Sequence, residues 1–550
     1  MMVCINEWAY CTSIWVVPQK QELLSLSGMK AFFICFTATV QRDEHIPLHE
    51  RGDCMTRPDY TEIVRLANEY DIIPVCREIY ADITTPIAIL RRISHSSNRY
   101  FLLESIEGGE KWGRYSFLGY DPVARIICRD GKITIEESCG SGRKTIHSRK
   151  PLEVLRNYIS RFKAPKLADL PPFAGGFVGY FSYRMISYAE PVLKLRQSGF
   201  NDFDIMLFDR VIAYDHLKQK ISIVVNMRTD NVGENYQKAL SDIADIARMI
   251  KEKTQSSETG ADITAEDGAD IRPVFTCNTT KEEFCSMVDR TKEYIRNGDI
   301  FQAVISRCFE TEYRGSLLNA YRVLRTTNPS PYMVMMQNDD VQLISASPET
   351  LVRLKDGVLS TFPIAGSRPR GRDSREDEAL EKELLEDAKE LAEHDMLVDL
   401  ARNDLGRLSK YNSVHLTSYK KVLKYSRVMH ITSEVESLIR DDRDAFDAIE
   451  ALLPAGTLSG APRTRACEII DELEKEPRGI YGGAIGYIDF TGNMDSCIAI
   501  RMAVKKGDRV YVQAGSGIVA DSIPEREYEE SGNKAGAVIE AIISASEVDE

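Results

Sequence analysis

Three short segments near the carboxy terminus constrain the fold most tightly. GIYGGAIGYIDF (479–490), MDSCIAIRMAVKK (494–506) and RVYVQAGSG (509–517) are apolar runs separated by TGN and KGD. Such runs with glycine turns between them predict three antiparallel strands. PEREYEESGNKAGAVIEAIISA (524–545) follows and reads as a helix.

The same mixture recurs upstream. In TTPIAILRRI, Thr85 precedes Pro86, a helix entry with proline in the first turn. RYFLLESI (99–106), RYSFLGYDPVARIICRD (114–130) and GKITIEES (131–138) read as strands broken by turns. Thr280 and Glu283 form a capping box ahead of a helix that stops at Gly298. IFQAVISRCFETEY (300–313) alternates like a strand, and 374–408 is a long charged helical region. The class is α+β.

Residues 251–274 are polar, acidic and nearly free of large apolar groups, so they read as a linker. It separates an N-terminal domain, 55–250, from a second domain, 275–550. Residues 1–54 are unlike the rest, holding two of the three tryptophans and four cysteines without clear periodicity. They read as an extension, disordered or mis-started upstream of Met55.

The chain has 84 acidic and 70 basic residues and a net charge of −14, which disfavours nonspecific nucleic-acid binding. No run of about 18 apolar residues predicts a membrane span, and no signal-peptide pattern opens the chain. The twelve cysteines are scattered singly, outside any CxxC or Gly-x-Cys-x-Gly pattern, and read as reduced cytoplasmic thiols. HExxH and GxxxxGK[ST] are absent, so zinc-protease and P-loop chemistry have no support.

Several residues could carry chemistry. Glu390 and Glu393 share one helix face, and Glu527 and Glu530 repeat that spacing. Two carboxylate pairs suit a hard cation such as Mg²⁺; the alternative is a solvated acidic face. QAGSGIV (513–519) reads as a glycine turn whose N–H groups could hold an anion. PAGTLSGAP (454–462) offers the hydroxyls of Thr457 and Ser459. Arg501, on an apolar strand with Ala499 and Ala503, sits at an edge or is buried with an anionic partner. Gln302 is placed similarly, and His430 is either a titrating group or a satisfied core histidine. TFPIAGSRPRG (361–371) could form one wall of a site.

Taken together, LLES (102–105), NPSPYM (328–333), SPE (347–349), PIAGSRPRG, EHDMLVDLARNDL (393–405), VMHITSEVES (428–437), GTLSGAP, YGGAIGY, IRMA and AGSGIVADS resemble the chorismate-utilising enzymes. Within them the chain is most similar to the anthranilate synthase component I family. The resemblance implies two large antiparallel sheets packed face to face with helices outside. It implies the reaction of chorismate and ammonia to anthranilate and pyruvate, in tryptophan biosynthesis, with Mg²⁺. Ammonia would come from glutamine through a partner amidotransferase subunit (component II), which fits the missing cysteine elbow. Glu393 and Glu530 would hold the metal, with Glu390 and Glu527 close by through water. Arg501 and Tyr481 would receive the enolpyruvyl carboxylate, helped by N–H groups of Gly515, Ser516 and Gly517. Thr457, Gly366 and Ser367 would line the ring site. Glu349 would be the general acid for loss of the 4-hydroxyl. His430 would serve the elimination, and Lys534 a substrate carboxylate.

Two positions discriminate among relatives. Water-adding members carry a lysine base at Gln302, and the aminodeoxychorismate enzymes typically carry a nucleophilic lysine at Ala365. Glutamine and alanine there imply direct attack of ammonia. Feedback by tryptophan is implied by Glu104, Ser105, Pro331, Tyr332, Met333 and Lys111. The competing readings are an aminodeoxychorismate synthase and a catalytically inert tryptophan-binding paralogue. Ser367 replaces the usual threonine, and Cys308 a common basic residue.

Overall fold

A computed structural model of the chain describes residues 56–105, 113–138, 142–252, 272–425 and 428–548. The extension expected over 1–54 and most of the linker expected over 251–274 lie outside the described residues.

Two twelve-stranded antiparallel sheets organise the described residues. The first runs Ile72–Tyr80, Lys220–Arg228, Arg210–Asp215, Tyr115–Tyr120, Arg99–Glu104, Tyr332–Asn338, Val341–Ser347, Met502–Lys506, Arg509–Ile518, Gln302–Glu312 and Thr276–Cys277. The short strand Gly460–Ala461 pairs with Gln302–Glu312. The second runs Ile364–Pro369, Val428–Leu438, Val358–Thr361, Thr350–Lys355, Met494–Ile498, Ala484–Asp489, Gly176–Phe181, Phe203–Phe208, Ala124–Arg129, Lys132–Glu137 and Arg143–His147. His415–Lys424 pairs with Val428–Leu438.

Phe101, Phe173, Tyr180, Phe208, Met336 and Met502 fill the space between the sheets. Phe101 meets Phe208 edge-on at 4.7 Å, a favourable aromatic geometry. Helices cover the outer faces. Val232–Lys251, Leu317–Thr327 and Pro524–Ile543 pack on the first sheet, and Pro151–Ile159, Ala388–Gly406 and Ala445–Leu452 on the second. Local signals placed several of these elements correctly. Thr85 caps Pro86–Ser96, and the Thr280–Glu283 capping box opens Lys281–Arg296.

One expectation needs correction, and two others gain detail. Each sheet takes strands from both 55–250 and 275–550. The charged region 374–408 is two helices, Ser374–Glu386 and Ala388–Gly406. Asp387 leaves helical geometry between them, and its carboxylate accepts the N–H groups of Lys389 and Glu390. Finally, the run 494–506 is not one strand. Met494–Ile498 belongs to the second sheet and Met502–Lys506 to the first. Arg501, at φ 49°, turns the chain between them. The run looks continuous in sequence because Cys497, Met502 and Val504 all feed the same inter-sheet core.

A second crossing runs beside it. Val341–Ser347 of the first sheet continues into Thr350–Lys355 of the second, with Glu349 at the step. The two crossings are laced together. Ala346 N–H donates to Arg501 O at 3.0 Å and Ile498 N–H to Glu349 O at 3.0 Å. Ser345 Oγ donates to Ile500 O at 2.9 Å and Ser347 Oγ to Ile498 O at 2.7 Å. Ser347 is fully buried. Ser347→Ala is therefore expected to destabilise the fold by about 1–2 kcal/mol, the range for a buried hydrogen bond left half-made. Urea unfolding midpoints check this.

Candidate active site

Glu349 and Arg501 thus stand at adjacent steps between the sheets, and the other candidate groups gather around them. Thr457, in the short turn Gly456–Leu458, donates its hydroxyl to Glu349 Oε1 at 2.9 Å. Desolvation dominates the Glu349 carboxyl and raises its pKa to about 7, against the Thr457 hydrogen bond and the Lys534 charge. A carboxylic acid poised there can give up a proton near neutral pH.

Arg501 Nη1 donates to Lys534 O at 2.7 Å. Burial is the main influence on its guanidinium and lowers its pKa, while Tyr481 and Glu530 oppose that shift. The Gly515 N–H points at the Tyr481 hydroxyl, and burial pushes that phenol up to about 12. Lys534 Nζ donates to Gly515 O at 3.2 Å and pairs with Glu530 at 2.6 Å. Of the two readings of QAGSGIV (513–519), a strand end and an anion-holding turn, the strand is the one formed, through Ile518. The stretch is the end of the Arg509–Ile518 strand, paired with Gln302–Glu312. Its pairing with Met502–Lys506 begins at Val512 and runs toward Arg509, so that edge of residues 514–518 lies beyond the neighbouring strand. Gly515 directs its polar groups to this edge, and strand alternation sends those of Gly517 the same way. Ser516 points elsewhere, donating to Glu527 O at 2.9 Å.

TFPIAGSRPRG contributes the strand Ile364–Pro369, bulged at Gly366 with φ +66°. Across from it, His430 Nδ1 lies 2.8 Å from Ser367 Oγ and 3.1 Å from Gly366 O. A carbonyl only accepts, so the Gly366 contact favours the tautomer of a neutral His430 with its proton on Nδ1. Ser367 keeps the hydroxyl contact that a threonine would make. Ala365 is buried opposite Ile431. Gln302 is buried where its strand meets Ala461, four residues beyond Thr457. Cys308 lies further along the same strand, its thiol pushed up by burial.

Carboxylates converge from two helices. Glu390 and Glu393 stand on Ala388–Gly406, and Glu527 and Glu530 on Pro524–Ile543. Burial first, then Glu390 and Glu530, raise the pKa of Glu393. Burial first, and Glu530 among the charges, raise Glu527. Glu390 lies against Gly366, with Oε2 only 3.2 Å from where a β-carbon would sit. Among the described residues no three acidic, histidine or cysteine side chains enclose a metal by themselves. The donor set fits a hard cation that takes few protein carboxylates and completes its shell with water and substrate. Mutual repulsion of Glu390, Glu393 and Glu530 is what such a cation would relieve.

A cavity of about 930 Å³ holds the other predicted group. Glu104, Ser105, Pro331, Tyr332 and Met333 all line it, and Lys111 lies outside the described residues. The Glu104 carboxylate is already engaged by Ser116, Tyr321 and Arg325, each at 2.8 Å. Tyr332 OH donates to Asp495 at 2.8 Å.

Comparison with known proteins gives the family. The model for chorismate binding enzymes matches residues 98–540. Anthranilate synthase component 1 of Acetivibrio thermocellus is 47% identical over 497 residues, covering 90% of this chain and all of that protein. The chain belongs to the anthranilate synthase component 1 family of chorismate-binding enzymes. The protein of that name from Aquifex aeolicus is 44% identical over 89% of this chain and 98% of its own. The crystal structure of anthranilate synthase component I from Streptococcus pneumoniae superposes with a TM-score of 0.69 at 36% identity, covering 84% of this chain and 98% of that one. Family membership makes the chain a lyase-family protein with the two-sheet fold described above.

Sequence reasoning missed the serines that lace the crossings, Ser345 and Ser347, and the buried pair Glu474–Arg478 beneath the site. The pair's i, i+4 spacing was the available signal, but such pairs are common on surfaces. Gly366→Ala is expected to destabilise the fold by roughly 1–3 kcal/mol, because φ is positive and the new methyl meets Leu384 and Glu390. Thermal unfolding measures the loss.

Proposed function

We propose that the chain converts chorismate and ammonia to anthranilate and pyruvate. The observation that carries this is Glu349, an acid with a pKa of about 7, one crossing away from the Arg501 cation.

Arg501, the Tyr481 hydroxyl and the N–H groups of Gly515 and Gly517 receive the enolpyruvyl carboxylate, with Lys534 supporting charge. The Ser516 side chain faces away, and strand alternation turns its N–H toward the Gln302–Glu312 strand, so Ser516 supplies no donor here. Glu349, oriented by Thr457, delivers its proton to the departing 4-hydroxyl, a poor leaving group otherwise. Ammonia attacks C2 directly, because Ala365 offers no nucleophile and Gln302 no base. His430, fixed by Ser367 and Gly366, takes the C2 proton as the bond from the ring to the enolpyruvyl oxygen breaks, and the released enolpyruvate gains a proton at its methylene carbon to become pyruvate. Glu393 and Glu530 would hold Mg²⁺, with Glu390 and Glu527 close by, and the ion would supply the positive charge that neutralises the ring carboxylate. Glutamine serves as ammonia source through an amidotransferase partner of the component II type, in the cytoplasm.

Incubation with chorismate, Mg²⁺ and ammonium, followed by mass analysis, tests the reaction. Anthranilate is expected; aminodeoxychorismate, isochorismate or no product would overturn the assignment. Glu349 must be protonated to act, so kcat/KM is expected to be full below pH 7 and to fall as pH rises through about 7. Glu349→Gln is expected to lose about 10²-fold or more in rate and the alkaline limb with it.

Tryptophan as feedback inhibitor occupies the 930 Å³ cavity in this reading. Apolar walls such as Met333 suit an indole. With Glu104 engaged by Tyr321 and Arg325, the amino group turns to Ser105 and nearby carbonyls. Binding there favours an inactive arrangement, with coupling on the order of 1–3 kcal/mol. Ser105→Ala is expected to raise the inhibitory tryptophan concentration about tenfold without changing kcat, measured by anthranilate fluorescence.

A further inference from the structure

Glu474 and Arg478 form an ion pair that is almost wholly buried, at 4% and 2% side-chain exposure. It touches the elements that carry the proposed reacting groups. Arg478 donates Nη1 to Leu458 O at 2.6 Å, beside Thr457. It donates Nη2 to Val304 O at 2.6 Å, the residue paired with Gly517. Glu474 accepts both from Arg478, at 3.0 and 2.6 Å. Glu474 also accepts the N–H and hydroxyl of Ser306, the residue paired with Gly515, at 2.7 and 2.8 Å. The guanidinium lies 5.5 Å from the Tyr481 ring centroid and 4.7 Å from that of Tyr183.

Buried ion pairs contribute little net stability compared with apolar side chains of the same volume. What a guanidinium adds is geometry, a rigid fork that ties several acceptors at fixed angles. Here the acceptors belong to the 456–458 turn, the 302–312 strand and the segment leading to Tyr481. The carboxyl of Glu349 is faced by Thr457 from that turn and by Lys534 from the 524–543 helix.

We propose that Arg478, held by Glu474, is a positioning residue that fixes the 456–458 turn so that Thr457 reaches Glu349, and thereby governs proton delivery. The inference rests on Glu349 acting as the general acid. Without the fork the turn relaxes, the Thr457 hydrogen bond lengthens and Glu349 holds its proton to higher pH. A purely structural pair would lower the unfolding temperature and leave the pH dependence untouched.

The test is the pH profile of kcat/KM with chorismate, saturating ammonium and Mg²⁺. Arg478→Lys keeps the charge but cannot span the three acceptors. Its alkaline limb is expected to move up by about one pH unit. Thr457→Val is expected to move it equally, and the double variant no further, since both remove one interaction. A limb unmoved in Arg478→Lys but moved in Thr457→Val would overturn the inference and leave Glu349 as the acid. A limb that survives in Glu349→Gln would instead overturn the role of Glu349. Glu474→Leu with Arg478→Met replaces the pair by apolar bulk and is expected to fold, by circular dichroism, with the same shift. An unshifted profile in that folded variant, or unfolding of both Arg478 variants, would reduce the pair to a structural element and overturn the proposal.

Discussion

The paired crossing between the sheets is the constraint on which the rest of the structure depends. Two neighbouring chain segments leave one sheet and enter the other side by side, at Glu349 and at Arg501. Regular ladder bonds cannot continue through such a step, so other donors must fill in. Two backbone bonds and the hydroxyls of Ser345 and Ser347 do so. Arg501 adopts a left-handed backbone there, which a non-glycine residue does at an energetic cost. The surroundings over-determine it.

The crossing also gives an acid and a cation at neighbouring chain steps separate partners. Arg501 is directed to Lys534 O, and Glu349 to Thr457. Each is desolvated by the layers around it, which raises the carboxyl and lowers the guanidinium. In the proposed reaction these groups, already stripped of water, would meet a dianionic substrate. The carboxylate pairs approach from helices on different sheets, so their repulsion is a product of the same layering.

Much of the fold was legible locally. Caps at Thr85 and Thr280, the hairpin turns at 491–493 and 506–508, and the last helix all follow from residues close in sequence. What failed was continuity. The run 494–506 reads as one strand because both halves feed the same core, and a bend changes no side chain's polarity. The glycines of 513–518 left a turn and a strand end both open, since glycine marks turns and close-packed strands alike. The charged stretch 374–408 hid a break at Asp387 because aspartate suits both a helix exterior and a cap. Motif resemblance supplied the candidate site, whereas spacing alone left each carboxylate pair indistinguishable from a solvated face.

The sequence by itself determined the class, the antiparallel hairpins, most helix ends and the residue types available for chemistry. It determined these because hydrogen-bond caps, glycine turns and hydrophobic period are properties of short segments. Tertiary structure alone decided that residues from both sides of the 251–274 boundary share both sheets. It also decided that Glu104 is spent on Tyr321 and Arg325, and that Glu474 and Arg478 lie under the site. Those facts depend on which distant segments meet in a low-dielectric interior, where a charge's partner and its desolvation set its behaviour. No local pattern carries that information.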